Sequence, residues 1–200
     1  VPCGQVTPGL AAYSVDLLEA DLPPSRRKNF SLVRLVHKPT GQPVWVVGIH
    51  MMTQSLDRSG ELRAKEMAVC RDSIARLVPP GDRVVVLGDF NTDASNTALL
   101  SGTVVADTGF DKDKRTLSWG SEPLVEAFAD VHNWTAPSST GFCTSNNGVR
   151  CEWIDYVFFP EKGLRVVARS DTALAVPPEG LPTTTEGSDH FAVAVQFELI

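Results

Sequence analysis

The chain has 200 residues, 42% of them hydrophobic, and a formal net charge of −6. That apolar content suffices for one sizeable core, so a single domain over residues 1–200 is expected, and no apolar run approaches the roughly 20 residues that a membrane-spanning helix needs. The acidic balance argues against a protein that coats nucleic acid through a broad basic face, but not against one that engages a strand end in a local groove.

In chain order, the first strand signal covers residues 9–15 and runs into Val15-Asp16-Leu17-Leu18-Glu19, an apolar stretch ending in a carboxylate. Pro23-Pro24-Ser25-Arg26-Arg27-Lys28 has loop character, and strands are expected at 30–37 and 43–50, the latter ending at His50. From Glu61 to Val78, Met67, Cys70, Ile74, Leu77 and Val78 recur at helical spacing. Arg63 and Glu66 near the start of that helix are expected on its solvated face. Pro79-Pro80-Gly81 stops the helix, and Val84-Val85-Val86-Leu87 reads as a buried strand over 83–88.

Between Thr103 and Arg150 the chain is polar and without strong periodicity. A short helix is expected from Pro123 to Val131. Trp119, Trp134 and Phe142 are expected to pin this long segment to the core, with stacking on a base as the alternative. Arg26-Arg27-Lys28 and Lys112-Asp113-Lys114-Arg115 read as solvated surface, with contact to substrate phosphates as the alternative. The Asn147-Gly148 turn signal predicts a hairpin that can bring Cys143 and Cys151 together, and the cysteines lack the spacing of a zinc site. Further strands are expected at 153–159, 164–169 and 191–198, giving two packed β-sheets flanked by helices, an α/β sandwich.

Strand ends carry the chemistry. Gly88-Asp89-Phe90-Asn91 places a carboxylate and an amide two residues apart: Asp89 can orient or deprotonate a water, and Asn91 can hydrogen-bond a phosphoryl oxygen. An Asx turn is the bland alternative. Ser188-Asp189-His190 sets a hard oxygen ligand beside a protonatable ring, and His190 needs an orienting acceptor, for which Asp155 in a separate apolar strand is the natural candidate. An imidazole so paired keeps positive charge at neutral pH and can stabilise a phosphate in reaction. His50 adds a second ring, Thr144 is a further candidate for substrate contact, and His37 and His132 read as structural.

Gly48-Ile49-His50, Gly88-Asp89-Phe90-Asn91, Trp153-Ile154-Asp155-Tyr156 and Gly187-Ser188-Asp189-His190 together resemble the endonuclease/exonuclease/phosphatase superfamily. Lys38-Pro39-Thr40-Gly41 and Leu181-Pro182-Thr183-Thr184-Thr185-Glu186 make the chain most similar to its deadenylase, nocturnin-like and 2′-phosphodiesterase branch. The resemblance implies a DNase I-like sandwich and roles for His50, Asp89, Asn91, Asp155 and His190 in catalysis. It also implies Asp189 and Asp89 in the metal environment and Mg2+ or Mn2+ as the ion. The substrate implied is RNA or a nucleotide, with hydrolysis at RNA 3′ ends.

The chain departs from that pattern in lacking the Asn strand and the Gln-Glu pair that open the family's sequence. A preceding segment or a partner chain is therefore expected to complete the fold; Glu19 reads as an exposed carboxylate beside a loop, with replacement of the missing ligand as the alternative. Three readings follow: a metal-dependent nuclease or phosphodiesterase, a superfamily hydrolase of small phosphate esters, and a catalytically impaired relative kept as an interaction subunit. Asn-x-Ser/Thr signals at Asn29 and Asn133 are compatible with secretion, but an intracellular protein is the expectation.

Overall fold

A computed structural model of the chain describes residues 11–16, 28–57, 60–92, 110–111, 116–119, 122–129, 144–146, 151–170 and 187–200, with backbone only at 11–16, 110–111 and 151. Its elements are β1 (Ala11–Asp16), β2 (Asn29–Val36), β3 (Pro43–His50), α1 (Glu61–Leu77), β4 (Arg83–Asp89), β5 (Phe110–Asp111), β6 (Thr116–Leu117) and β7 (Leu124–Glu126). They continue with β8 (Ser145–Asn146), β9 (Cys151–Glu152), β10 (Asp155–Phe159), β11 (Leu164–Arg169) and β12 (Val195–Leu199).

An eight-stranded sheet runs in the order β1-β2-β3-β4-β10-β7-β6-β5. β3 and β4 are parallel neighbours, which requires a crossover, and α1 supplies it. The helix buries Met67, Cys70 and Ile74 as its periodicity predicts, whereas Leu77 at its end stays 38% exposed. β2 alternates buried Phe30 and Leu32 with exposed Asn29 and Ser31, the pattern of a strand with one face on the core. In β4 and β10, consecutive residues are buried (Val84, Val85, Val86; Tyr156, Val157, Phe158, Phe159), so both faces of the sheet's centre are covered.

The second layer is the antiparallel pair β11-β12. It meets the main sheet through Leu164, which is buried in the core, and through the Phe159 and Phe197 rings, 5.1 Å apart. Arg83 Nε also donates to the Gly163 carbonyl at 3.0 Å. Outward, Arg165 and Glu198 form an ion pair. The architecture is the expected α/β sandwich, with α1 the one helix among the described residues.

The expected helix over Pro123–Val131 is not formed at 124–129. Leu124–Glu126 is strand β7, and 127–129 is a turn. β10 and β6 offer this segment ladder partners on both sides, and such pairing overrides a weak helical preference. The strands on either side of the expected turn, β8 and β9, pair antiparallel, with Ser145 opposite Glu152 and Asn146 opposite Cys151, while Asn147 and Gly148 lie outside the described residues. Cys143 and the Cys151 side chain lie outside the described residues, as do Glu19, Arg26, Arg27, Lys112–Arg115, His132, Trp134 and Phe142. Trp119 packs against the core, as expected, and His37 Nδ1 lies 2.8 Å from Thr40 Oγ1 within its turn.

Candidate active site

Strand register builds the site. His50 is opposite Asp89 in the parallel pair β3-β4, and Asp155 is opposite Asp89 in the antiparallel pair β4-β10. Three polar side chains therefore stand in one row across three adjacent strands, at the end where each apolar run stops. Gly88 permits this closeness. Its φ is +132°, and a Cβ there would lie 2.0 Å from the Ile49 carbonyl oxygen, so only glycine fits between β3 and β4 at this point.

His190 arrives from a separate segment. A β-bridge from Ser145 to His190, with Asn146 N donating to Asp189 O at 3.0 Å and Phe191 N to Thr144 O at 2.8 Å, docks it on the β8-β9 hairpin. Thr144 Oγ1 accepts the backbone N–H of both Ile154 and Asp155 at 3.0 Å, which ties the same hairpin to β10. Thr144 is fully buried, so it is a brace rather than a substrate contact, contrary to the expectation from sequence.

His190 Nδ1 donates to Asp155 Oδ2 at 2.7 Å. That hydrogen bond, ahead of opposing desolvation, pushes the His190 pKa up to about 9, with Asp155, Asp89 and Asp189 adding negative charge nearby. The ring is an imidazolium at neutral pH. Its Nε2 lies 3.9 Å from Asp89 Oδ2, and His50 Nε2 lies 3.6 Å from the same oxygen. Burial pushes Asp89 up to about 6, the Asn91 backbone N–H opposes the shift, and Asp155 adds to it. Asp89 is still ionised at neutral pH. His50 moves the other way: desolvation, then the positive Lys28 and His190, hold it below its ordinary value.

Asn91 is bent back onto Asp89 by a left-handed backbone (φ 48°), a conformation that asparagine tolerates. Its N–H donates to Asp89 Oδ1 at 2.7 Å, so the Asx turn anticipated as the bland reading is present and is part of the site. Its Nδ2 donates to Met51 O at 2.9 Å and to Asp89 Oδ2 at 3.1 Å. Two oxygen acceptors fix the amide orientation, with Nδ2 as the donor. Donating to a phosphoryl oxygen would require Asn91 to give up one of these bonds. Tyr156, under the site, directs its hydroxyl to the Thr92 and Trp153 carbonyls, each at 2.8 Å.

The Asp89 carboxylate is a hard oxygen donor of the kind that suits a cation keeping several waters, whereas Asn91 turns its Nδ2, not its Oδ1, toward Asp89. Asp189 is exposed, and among the described residues no group of three or more His, Cys, Asp or Glu side chains is arranged to hold a metal ion. The described residues therefore offer at most the Asp89 carboxylate and the Asn91 amide oxygen toward a cation, whose remaining ligands would have to be water and substrate.

Arg63 and Glu66 were expected on a solvated face and are instead fully buried. Arg63 Nη1 donates to Met52 O at 3.4 Å and Asp57 O at 3.1 Å, and lies 3.7 Å from Asp57 Oδ2. Glu66 Oε2 accepts the Met52 N–H at 2.9 Å. Burial pushes Glu66 up to about 7, against the Met52 hydrogen bond and the Lys28 and Arg63 charges and with the help of Asp57. The loop after His50 supplies partners that helical periodicity does not reveal.

An α/β sandwich carrying this histidine and carboxylate cluster at one end of its sheet has the phosphodiesterase/phosphatase fold. The chain belongs to the Endonuclease/Exonuclease/phosphatase family, whose sequence profile matches residues 12–190. Members of that superfamily are hydrolases, including phosphatases and nucleases, and generally use divalent metals. Among solved structures, the chain is similar to the human Nocturnin catalytic domain (13% identity, TM-score 0.60, 98% of this chain and 62% of that one). It is also similar to ANGEL2, a 2′,3′-cyclic phosphatase (16%, TM-score 0.64, 94% and 66%). A third likeness is to a mannosyl-6-phosphatase from Bacteroides thetaiotaomicron (16%, TM-score 0.55, 97% and 68%). The chain thus spans about two thirds or less of the first two of these structures. No curated protein sequence matches it.

Proposed function

We propose that the chain is a divalent-metal-dependent phosphodiester hydrolase acting at RNA 3′ ends, a deadenylase-like exoribonuclease. The observation that carries the reading is the His190 imidazolium, paired with Asp155 and held beside an ionised Asp89. His190 can offer Nε2–H to a non-bridging phosphoryl oxygen, whose charge grows as the reaction proceeds. Asp89 can orient the attacking water and take its proton while the bond from phosphorus to the leaving sugar oxygen breaks. His50, with its pKa lowered, offers a neutral ring at the same oxygen, and Asp89 and Asn91 would hold the ion. A Mg2+ or Mn2+ bound there supplies charge neutralisation at phosphate and at the leaving oxygen. The likeness to ANGEL2, a 2′,3′-cyclic phosphatase whose structure is also known with adenosine-2′,3′-vanadate, supports a ribonucleotide substrate.

A second reading, hydrolysis of a small phosphate ester, is favoured by the acidic net charge and by the likeness to a mannosyl-6-phosphatase. One assay separates the two. Purified protein is incubated, with Mg2+ or Mn2+ and with EDTA, on short RNA ending in a 3′-hydroxyl, on the same RNA ending in a 2′,3′-cyclic phosphate, and on mannose 6-phosphate. Metal-dependent 3′ shortening of RNA is the expected result, and phosphate release from the sugar alone would favour the second reading. Hydrolysis of none of the three would overturn the proposal.

A further inference from the structure

Met51 and Met52 follow His50 directly, and all four of their backbone polar groups are engaged, in two opposite directions. Met51 faces the site: its N–H donates to the Asp89 carbonyl at 2.9 Å, and its carbonyl accepts from Asn91 Nδ2 at 2.9 Å. Met52 faces the helix: its N–H donates to Glu66 Oε2 and its carbonyl accepts from Arg63 Nη1. Both methionines are buried, as are Arg63, Glu66 and Asp57. Asp57 Oδ2 accepts the Arg63 N–H at 2.9 Å and so fixes the first turn of α1, whose N-cap Gly60 has no side-chain cap.

We infer that Arg63 and Glu66 are positioning residues, clamping the Met51–Met52 dipeptide so that its Met51 half holds Asn91 and Asp89 in their working geometry. Charged groups in a fully buried place are costly unless each is hydrogen-bonded, and a packed apolar helix face would hold α1 against the sheet without them. What an apolar pair cannot supply is a donor and an acceptor for the two faces of one peptide segment. Release of Met52 lets Met51 move, and Asn91 then loses the carbonyl that fixes its amide and, through it, Asp89 Oδ2. The catalytic consequence rests on the hydrolase reading proposed above, whereas the hydrogen-bond consequence does not.

The test compares Glu66→Leu, Glu66→Gln and Arg63→Lys in the full chain, with two readouts. In the first, NMR follows hydrogen exchange of the Met52 amide and of the Asn91 side-chain NH2 group. In the second, kcat and KM are measured on short RNA with Mg2+. Glu66→Gln keeps an oxygen for the Met52 N–H, so kcat and KM should match the wild type and exchange at both positions should be no faster. Glu66→Leu should speed exchange at both positions and lower kcat by about 10–100-fold with KM unchanged, the usual cost of losing a supporting contact behind a reactive group. Arg63→Lys, which replaces the planar guanidinium with an ammonium on a shorter stem, should act in the same direction and decides the matter if Glu66→Leu does not fold. Wild-type exchange at Asn91 in a folded Glu66→Leu or Arg63→Lys protein would overturn the clamp, as would Glu66→Gln behaving like Glu66→Leu. If the wild type hydrolyses no RNA, the hydrolase reading fails and the exchange measurements alone judge the clamp.

Discussion

His190 and Asp155, 35 residues apart in the chain, meet through a 2.7 Å hydrogen bond from Nδ1 to Oδ2, and that bond sets the charge of the ring. Asp155→Asn keeps the shape and removes the negative partner. The His190 pKa, pushed up to about 9 chiefly by the hydrogen bond to Asp155, should fall toward the ordinary 6.5. An NMR titration of the imidazole checks this, and an unmoved midpoint would remove Asp155 from the dyad. Hydrolysis at pH 8 should drop more than at pH 6, since the variant ring is already losing its proton at the higher pH.

Asp89→Asn should nearly abolish hydrolysis without unfolding the chain. The amide can still accept the Asn91 N–H, but its NH2 group faces the Nδ2 donor of Asn91, and the charge that handles water is gone. Losses of about 10²–10⁴ in rate are typical when such a group is removed. Metal-dependent turnover at the wild-type rate, in a variant with a native circular dichroism spectrum, would show that Asp89 has another role.

Much of this site was legible before the fold was known, because each of its residues ends an apolar run or sits in one. His50, Asp89 and Asp155 stand at strand ends, and the absence of a better partner for His190 pointed to Asp155. The row itself was not legible, since which strands are neighbours depends on tertiary pairing: β10 lies beside β4 although the hairpin and three short strands intervene in sequence. Arg63 and Glu66 were misread for a physical reason. Charged residues at the start of a helix are normally solvated, and only the fold of the 51–57 loop over α1 reverses that. Thr144 was misread because a hydroxyl in a polar stretch gives no sign that two backbone N–H groups will converge on it.

Stability should decline as pH rises from about 5 to 9 in metal-free buffer. Glu66 goes from an ordinary 4.5 to about 7 on folding, so the folded state binds this proton more tightly, and stability is lost as pH climbs through that window. A shift of that size corresponds to roughly 3 kcal/mol. His190, raised to about 9, contributes stability that is full below 6.5 and is lost as pH rises through 9. Glu66→Gln mimics the protonated acid at every pH, so its unfolding free energy should gain on the wild type steadily between pH 5 and 8. Parallel curves from urea denaturation would contradict the assignment of a buried, proton-binding Glu66.

Two glycines one residue apart from each other's cross-strand partners give the sharpest test of how the sheet builds the site. Gly88→Ala places a Cβ 2.0 Å from the Ile49 backbone oxygen at φ +132°, where neither the backbone nor the neighbouring strand has a flexible end to move. The strain alone costs about 1–3 kcal/mol, and relieving it means separating β3 from β4 at the Ile49–Gly88 pair, next to the pair that carries His50 and Asp89. Gly48→Ala meets only the side-chain Oγ of Ser31, at 2.7 Å, and a serine hydroxyl can rotate away. The expected outcome is a large loss of stability and hydrolysis in Gly88→Ala, and near-native behaviour in Gly48→Ala. Urea midpoints and RNA turnover of the two variants check it, and equal effects would mean that the close approach of β3 and β4 is not what aligns the row.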